Sequence, residues 1–160
     1  MTTTTKDALK TELASLLASD LETLEKAHRA TREGVTHEDA KPENDKDTRA
    51  LEQTYLARGQ AMRIEELRAS VADVHAMPLR SFADGSPAAL GALITIEEDG
   101  DESRLFLAPA GGGNRLADGA VQVVTPRSPL GQALLGKRSG DDVEVRLAGK
   151  TRALAILAVE

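Results

Sequence analysis

The chain has 160 residues, a net charge of −6, no cysteine or tryptophan, and aromatic residues at only 2%. The lack of cysteine excludes disulfides and thiolate metal sites, and an acidic chain without a basic face is a poor unaided ligand for duplex nucleic acid. The core must therefore be aliphatic, which suits a helical unit joined to a small sheet domain better than one large core. No apolar run approaches the ~18 residues of a membrane span, and Met1 to Lys6 leads into no apolar signal core, so a cytoplasmic protein without a membrane partner is expected.

From Asp7 to Glu33, Leu9, Leu13, Leu16, Leu17, Leu21 and Leu24 are followed by Ala27 and Thr31. Spacings of three and four mark one face of a helix, and Gly34 is the expected stop. A second helix is expected from Pro42, which suits a first turn, to about His75. Its seam is Ala57, Ile64, Leu67, Val71 and Val74, with Leu51, Tyr55 and Met62 on flanking positions. Neither helix can bury its stripe alone, and the short connection makes them antiparallel neighbours. Residues 1–75 are thus expected to form a coiled-coil hairpin with its tip at about 34–47.

Residues 76–87 (AMPLRSFADGSP) hold two prolines and a glycine and read as a linker to a domain over 88–160. Beyond it the period changes. Strand-like runs lie at Ala89–Glu97, Arg104–Ala108, Val121–Thr125 and Asp142–Leu147, and Gly149-Lys150 separates the last from Ala153–Val159 as a hairpin would. A short helix over Pro129–Leu135 falls between the third and fourth strands. An α+β domain with a four- or five-stranded antiparallel sheet and one helix is expected.

Two segments carry chemistry. The tip concentrates Glu33, Glu38, Asp39, Glu43, Asp45 and Asp47 against Lys41 and Lys46, a local net charge of −4. Crowded carboxylates repel one another. Glu43 and Asp45 recover part of that cost beside the positive end of the second helix. The tip is either a solvated loop or a hard-cation site that takes Mg²⁺ with help from a partner's ligands. The second segment, Thr125 to Val145, reads TPRSPLGQALLGKRSGDDVEV. Ser128 is placed to cap a helix beginning at Pro129, and Gly136 to end it, with Leu130, Leu134 and Leu135 toward the sheet. Gly131 to Lys137 mimics the start of a phosphate loop, but Arg138 stands where that motif needs Ser or Thr, and the Ala-Leu-Leu interior suits a packed helix.

This Ser-Pro-hydrophobic step ending in Leu-Leu-Gly-Lys, preceded by an acid-tipped hairpin, resembles the bacterial GreA/GreB transcript-cleavage factor family. The resemblance is strongest from Ala88 onward and looser over the N-terminal half. It implies an FKBP-like C-terminal domain and a protein that binds RNA polymerase, not an enzyme of its own. Its tip would enter the polymerase secondary channel beside the nascent RNA 3′ end. The family's tip reads acid-x-x-Glu-Asn. Glu43-Asn44 matches its last pair, whereas Ala40 stands at the first acid and Asp39 lies one residue further back. By the resemblance, Glu43 and Asp39 share a Mg²⁺ with the polymerase, Asn44 orients the turn, and Arg127, Ser128 and Pro129 dock at the channel rim. It also makes the stripe Lys26, Arg29 and Arg32 an RNA contact, whereas composition alone reads it as a solvated, ion-paired face. Alternatives are a channel-binding inhibitor without cleavage activity, an FKBP-like folding helper, and a coiled-coil scaffold. His28 and His75 are expected on helix surfaces, and Gly111-Gly112-Gly113 as a flexible hairpin loop.

Overall fold

The computed structural model describes residues 5–38 and 44–160, with side chains at 5–34 and 48–160. Two long helices, α1 (Lys6–Glu38) and α2 (Asn44–Ala76), precede β1 (Leu93–Glu98), β2 (Asp101–Leu107), β3 (Arg115–Leu116), β4 (Val121–Val124), α3 (Pro129–Leu134), β5 (Asp142–Leu147) and β6 (Lys150–Val159). At 1.5 Å per residue, each 33-residue helix is about 50 Å long. The chain divides into two compact units, one of Met1–Ala14 and Ala72–Glu160, the other of Ser15–Val71.

In the second unit α1 and α2 run antiparallel, since Glu25 pairs with Arg68, His28 with Gln60, and Gly34 lies beside Gln53. On α2 the inward positions follow a strict 3-4 alternation through Ala50, Gln53, Ala57, Gln60, Ile64, Leu67 and Val71, which contains the expected seam as far as Val71. Two expectations for α1 are corrected. The helix continues past Gly34, because a glycine inside a helix costs only about 1 kcal/mol relative to alanine. The inner face also passes through His28, whereas Ala27 is exposed.

In the first unit six strands form one sheet in the order β3-β4-β2-β1-β6-β5. The expected α+β class is present, but the sheet is mixed. Four neighbouring pairs are antiparallel, and β2 pairs with β4 in parallel register, Arg104 opposite Val121 through Leu107 opposite Val124. Parallel neighbours need a crossover. Residues 108–120 supply it, and the two-residue β3 within them was too short to leave a pattern. The hairpins β1–β2 and β5–β6 turn on Asp99-Gly100 and Ala148-Gly149, each pair in left-handed backbone, as the right-handed strand twist favours.

One face of the sheet packs Ile94, Ile96, Leu105, Val143, Val145, Leu154 and Ile156 against Leu134 of α3. Phe106, Val121 and Val123 alternate to the other face and are fully buried too. The first turns of α1 belong to the same unit. Leu9 and Leu13 have no exposed surface, Lys10 donates to the Met77 carbonyl at 2.7 Å, and Lys6 donates to the Arg80 carbonyl while its ammonium lies 4.6 Å from the Phe82 ring centroid.

Candidate functional site

The segment Thr125–Gly136 is held by a closed set of local bonds. Ser128, extended at φ −76° and ψ 152°, caps α3. Its hydroxyl donates to the Thr125 carbonyl at 2.8 Å and accepts from the Gly131 amide at 3.0 Å. Pro129 fills the first helical position, where an amide hydrogen would have no partner. The helix N-terminus comes so close to the preceding strand end that a Cβ on Gly131 would lie 1.8 Å from the Thr125 carbonyl oxygen. At the other end Gly136, left-handed at φ 79°, donates to the Ala88 carbonyl at 2.8 Å, and Ala88 donates back to Lys137 at 2.7 Å. Leu134 is fully buried and Leu130 half-buried as expected, but Leu135 points out with 45% of its surface exposed, because the helix stops one residue before it.

The result is a rigid loop that presents Arg127 and Pro129 to solvent while the Ser128 hydroxyl serves the cap. Beside it, Ile96, Leu105, Val124, Leu130, Leu147 and Arg152 help line a concavity of about 260 Å³ on the sheet face. No aromatic side chain lines it. Arg152 is fixed there by Glu98, which accepts from its Nε at 2.7 Å and from its Nη2. That hydrogen-bonded pair lowers the Glu98 pKa and raises that of Arg152.

In the hairpin unit, Arg29, Arg32, Arg68 and His28 line an open groove between the helices together with Glu25, Glu33 and Glu65. Positive and negative groups are matched, and Arg68 bonds Glu25 at 2.9 Å and Glu65 at 2.7 Å. These exposed bonds also raise the Arg68 pKa, the hydrogen bond it donates to Glu25 contributing most. Lys26 is absent from this lining and pairs with Glu22 at 3.0 Å. The stripe predicted as Lys26, Arg29 and Arg32 therefore splits, its last two members bordering the groove.

The family model described as "Transcription elongation factor, GreA/GreB, C-term" matches residues 86–160, the stretch that contains α3 and its cap. The transcription elongation factor GreA of Brucella canis is 32% identical over 114 residues, 69% of this chain and 67% of that protein. The chain belongs to the GreA/GreB family. GreA of Allorhizobium ampelinum is 33% identical over 104 residues, 63% of this chain and 60% of its own length. The chain thus spans about three fifths of the length of that relative. Among solved structures, GreA factor homolog 1 (Gfh1) of Thermus thermophilus aligns over 92% of this chain and 94% of that one, at 21% identity and a TM-score of 0.40.

In this GreA/GreB protein the tip candidates Asp39 and Glu43 lie outside the described residues, and Asn44 is placed only as the first residue of α2. Among the described residues no three His, Asp or Glu side chains are gathered as metal ligands, and no helix is long and apolar enough to cross a membrane. Two features escaped the sequence reading. His28 is a half-buried seam residue, which continuing the Leu21–Leu24 spacing by four would have found. The Gly111 segment is a packing seat: a Cβ there would lie 2.6 Å from Cδ1 of Leu13, and Gly111 stands at φ 82°.

Proposed function

We propose that this protein is a cofactor of bacterial RNA polymerase that enters the secondary channel and stimulates the polymerase's own cleavage of backtracked RNA. Membership of the GreA/GreB family carries this reading, and the acidic tip with its Glu43-Asn44 pair supports it. The rigid loop that exposes Arg127 and Pro129 is the docking element, grasping the channel rim. Ser128 acts through it as the cap that fixes its shape. Arg29 and Arg32, which border the groove between the helices, are the basic groups that would meet emerging RNA. The protein works in the cytoplasm, where its partner is.

Glu43 and Asp39 would hold a Mg²⁺ together with polymerase ligands and phosphate oxygens. Paired carboxylates suit this hard cation, which keeps few protein ligands. A bound metal of this kind activates a water for attack on a phosphodiester. The chain itself brings negative charge and oxygen ligands to a site assembled by the polymerase, with Asn44 orienting the turn. The test is a stalled, backtracked elongation complex with Mg²⁺, to which the protein is added. Release of short 3′ RNA fragments is expected.

A second reading has its own support. Ala40 stands where the family tip carries its first acid, and Pro42 constrains the turn. A protein with this tip that binds polymerase and releases no fragments would be a channel-binding inhibitor.

A further inference from the structure

The hairpin seam changes character along its length. Near its Ser15 and Val71 end it is aliphatic: Leu17, Ile64 and Leu67 are buried, and Leu21, Leu24 and Val71 half-buried. Toward the tip it becomes small and polar, with His28, Thr31 and Gly34 on α1 and Gln60, Ala57, Gln53 and Ala50 on α2. The larger apolar residues of this half of α2 face away, Leu51, Tyr55, Leu56 and Met62 each being more than half exposed. Alanine, glycine and threonine offer shallow knobs, so shape alone resists rotation or sliding of the two helices weakly. A directional contact between the helices in this half is His28 Nδ1 with Gln60 Oε1 at 3.4 Å. One step further, the Gln53 amide oxygen is buried beside Gly34 with no hydrogen-bond partner among the described residues. A leucine pair would bury more apolar area at all these positions. Polar groups in a seam lower stability and set one geometry.

We propose that His28 and Gln60 are positioning residues, a polar key that fixes how α1 and α2 are set against each other in the tip-ward half of the hairpin. Under the proposed function, on which this consequence rests, the key determines the direction in which Glu43 reaches the polymerase site. Of the charged groups that share the groove with His28, Arg68 is held by Glu25 and Glu65.

The absence of cysteine allows spin labels at Ala30→Cys and Thr54→Cys in the full chain. Pulsed electron resonance should give a single narrow distance with His28 and Gln60 in place. In His28→Leu/Gln60→Leu the melting temperature should rise while the distance distribution becomes about twofold broader or splits, and cleavage falls at least about threefold. His28→Asn keeps a donor near the Nδ1 position and should restore the narrow distance. A double-leucine variant with the original narrow distance would overturn the proposal. A wild-type protein that releases no RNA fragments would defeat the cleavage reading but leave this distance test intact.

Discussion

The Glu12 carboxylate accepts a hydrogen bond from the Ala117 amide at 3.0 Å, joining the base of α1 to the turn before β4 across 105 positions of sequence. Ala117 sits at φ 52°, followed by Asp118 at 55° and Gly119 at 90°, a run of left-handed backbone that L-residues other than glycine adopt at a cost. A charged acceptor at its first amide helps hold that turn. Glu12→Ala should therefore lower stability by about 1–3 kcal/mol, the range for a lost charge-assisted bond. Ala117→Gly should be neutral or slightly stabilising. A chemical-denaturation midpoint unchanged in Glu12→Ala would show that the bond contributes nothing in solution.

The fit of Leu13 against Gly111 gives a second expectation. Leu13→Ala removes a fully buried side chain and should cost about 2–5 kcal/mol. Gly111→Ala should be destabilising as well, since the new methyl would meet Leu13 and the backbone there is left-handed. Combining Gly111→Ala with Leu13→Ala should cost less than the two single changes added together, because the shortened side chain leaves room. Strict additivity in thermal melts would count against the packing described.

Gly131→Ala places a methyl on the Thr125 carbonyl oxygen and must push α3 away from its cap. A loss of about 2 kcal/mol or more is expected, in the upper part of the range for overpacking, together with weaker polymerase binding. Arg127→Glu, by contrast, changes an exposed side chain. Binding should fall while the melting temperature stays within about 2 °C of wild type, as surface substitutions allow. Polymerase affinity equal to wild type would remove Arg127 from the docking element.

The Glu98–Arg152 pair predicts a pH effect whose sign follows from the lowered Glu98 pKa. The carboxylate form is favoured in the folded state, so its contribution is complete above the unfolded glutamate pKa and is lost as pH falls through the lower folded value. Glu98→Gln should thus flatten the acid limb of a melting-temperature profile and leave the neutral region less stable than wild type. Parallel acid limbs for the two proteins would contradict this.

At the tip, Glu43→Gln should leave polymerase binding intact and reduce fragment release at least about tenfold, roughly 1.4 kcal/mol of transition-state stabilisation. Asp39→Asn should do less. Ala40→Asp places an acid three residues before Glu43 and should raise cleavage. Cleavage unchanged in Glu43→Gln would move the metal-holding role elsewhere on the tip.

Local chemistry makes much of this protein legible in its sequence. Leucine spacing marks α1, and the 3-4 rhythm from Ala57 to Val74 marks the seam of α2, because a helix repeats its faces every 3.6 residues. Ser128, Pro129 and Gly136 announce both ends of α3, since capping depends on residues only a few positions apart. The alternation of Val143, Val145 and Leu147 marks β5 for the same reason. What depended on distant partners was not legible. The parallel pairing of β2 with β4 is a meeting of two strands whose own patterns do not encode a direction. Gly111 looks like any loop glycine until Leu13 arrives beside it from nearly a hundred residues away, and Gly131 until the Thr125 carbonyl closes on it. His28 continues the Leu21–Leu24 spacing, but its pairing with Gln60 exists only once the two helices face each other. Periodicity and caps are properties of short stretches, whereas register, close approach and polar pairing exist only once separate stretches have been brought into contact.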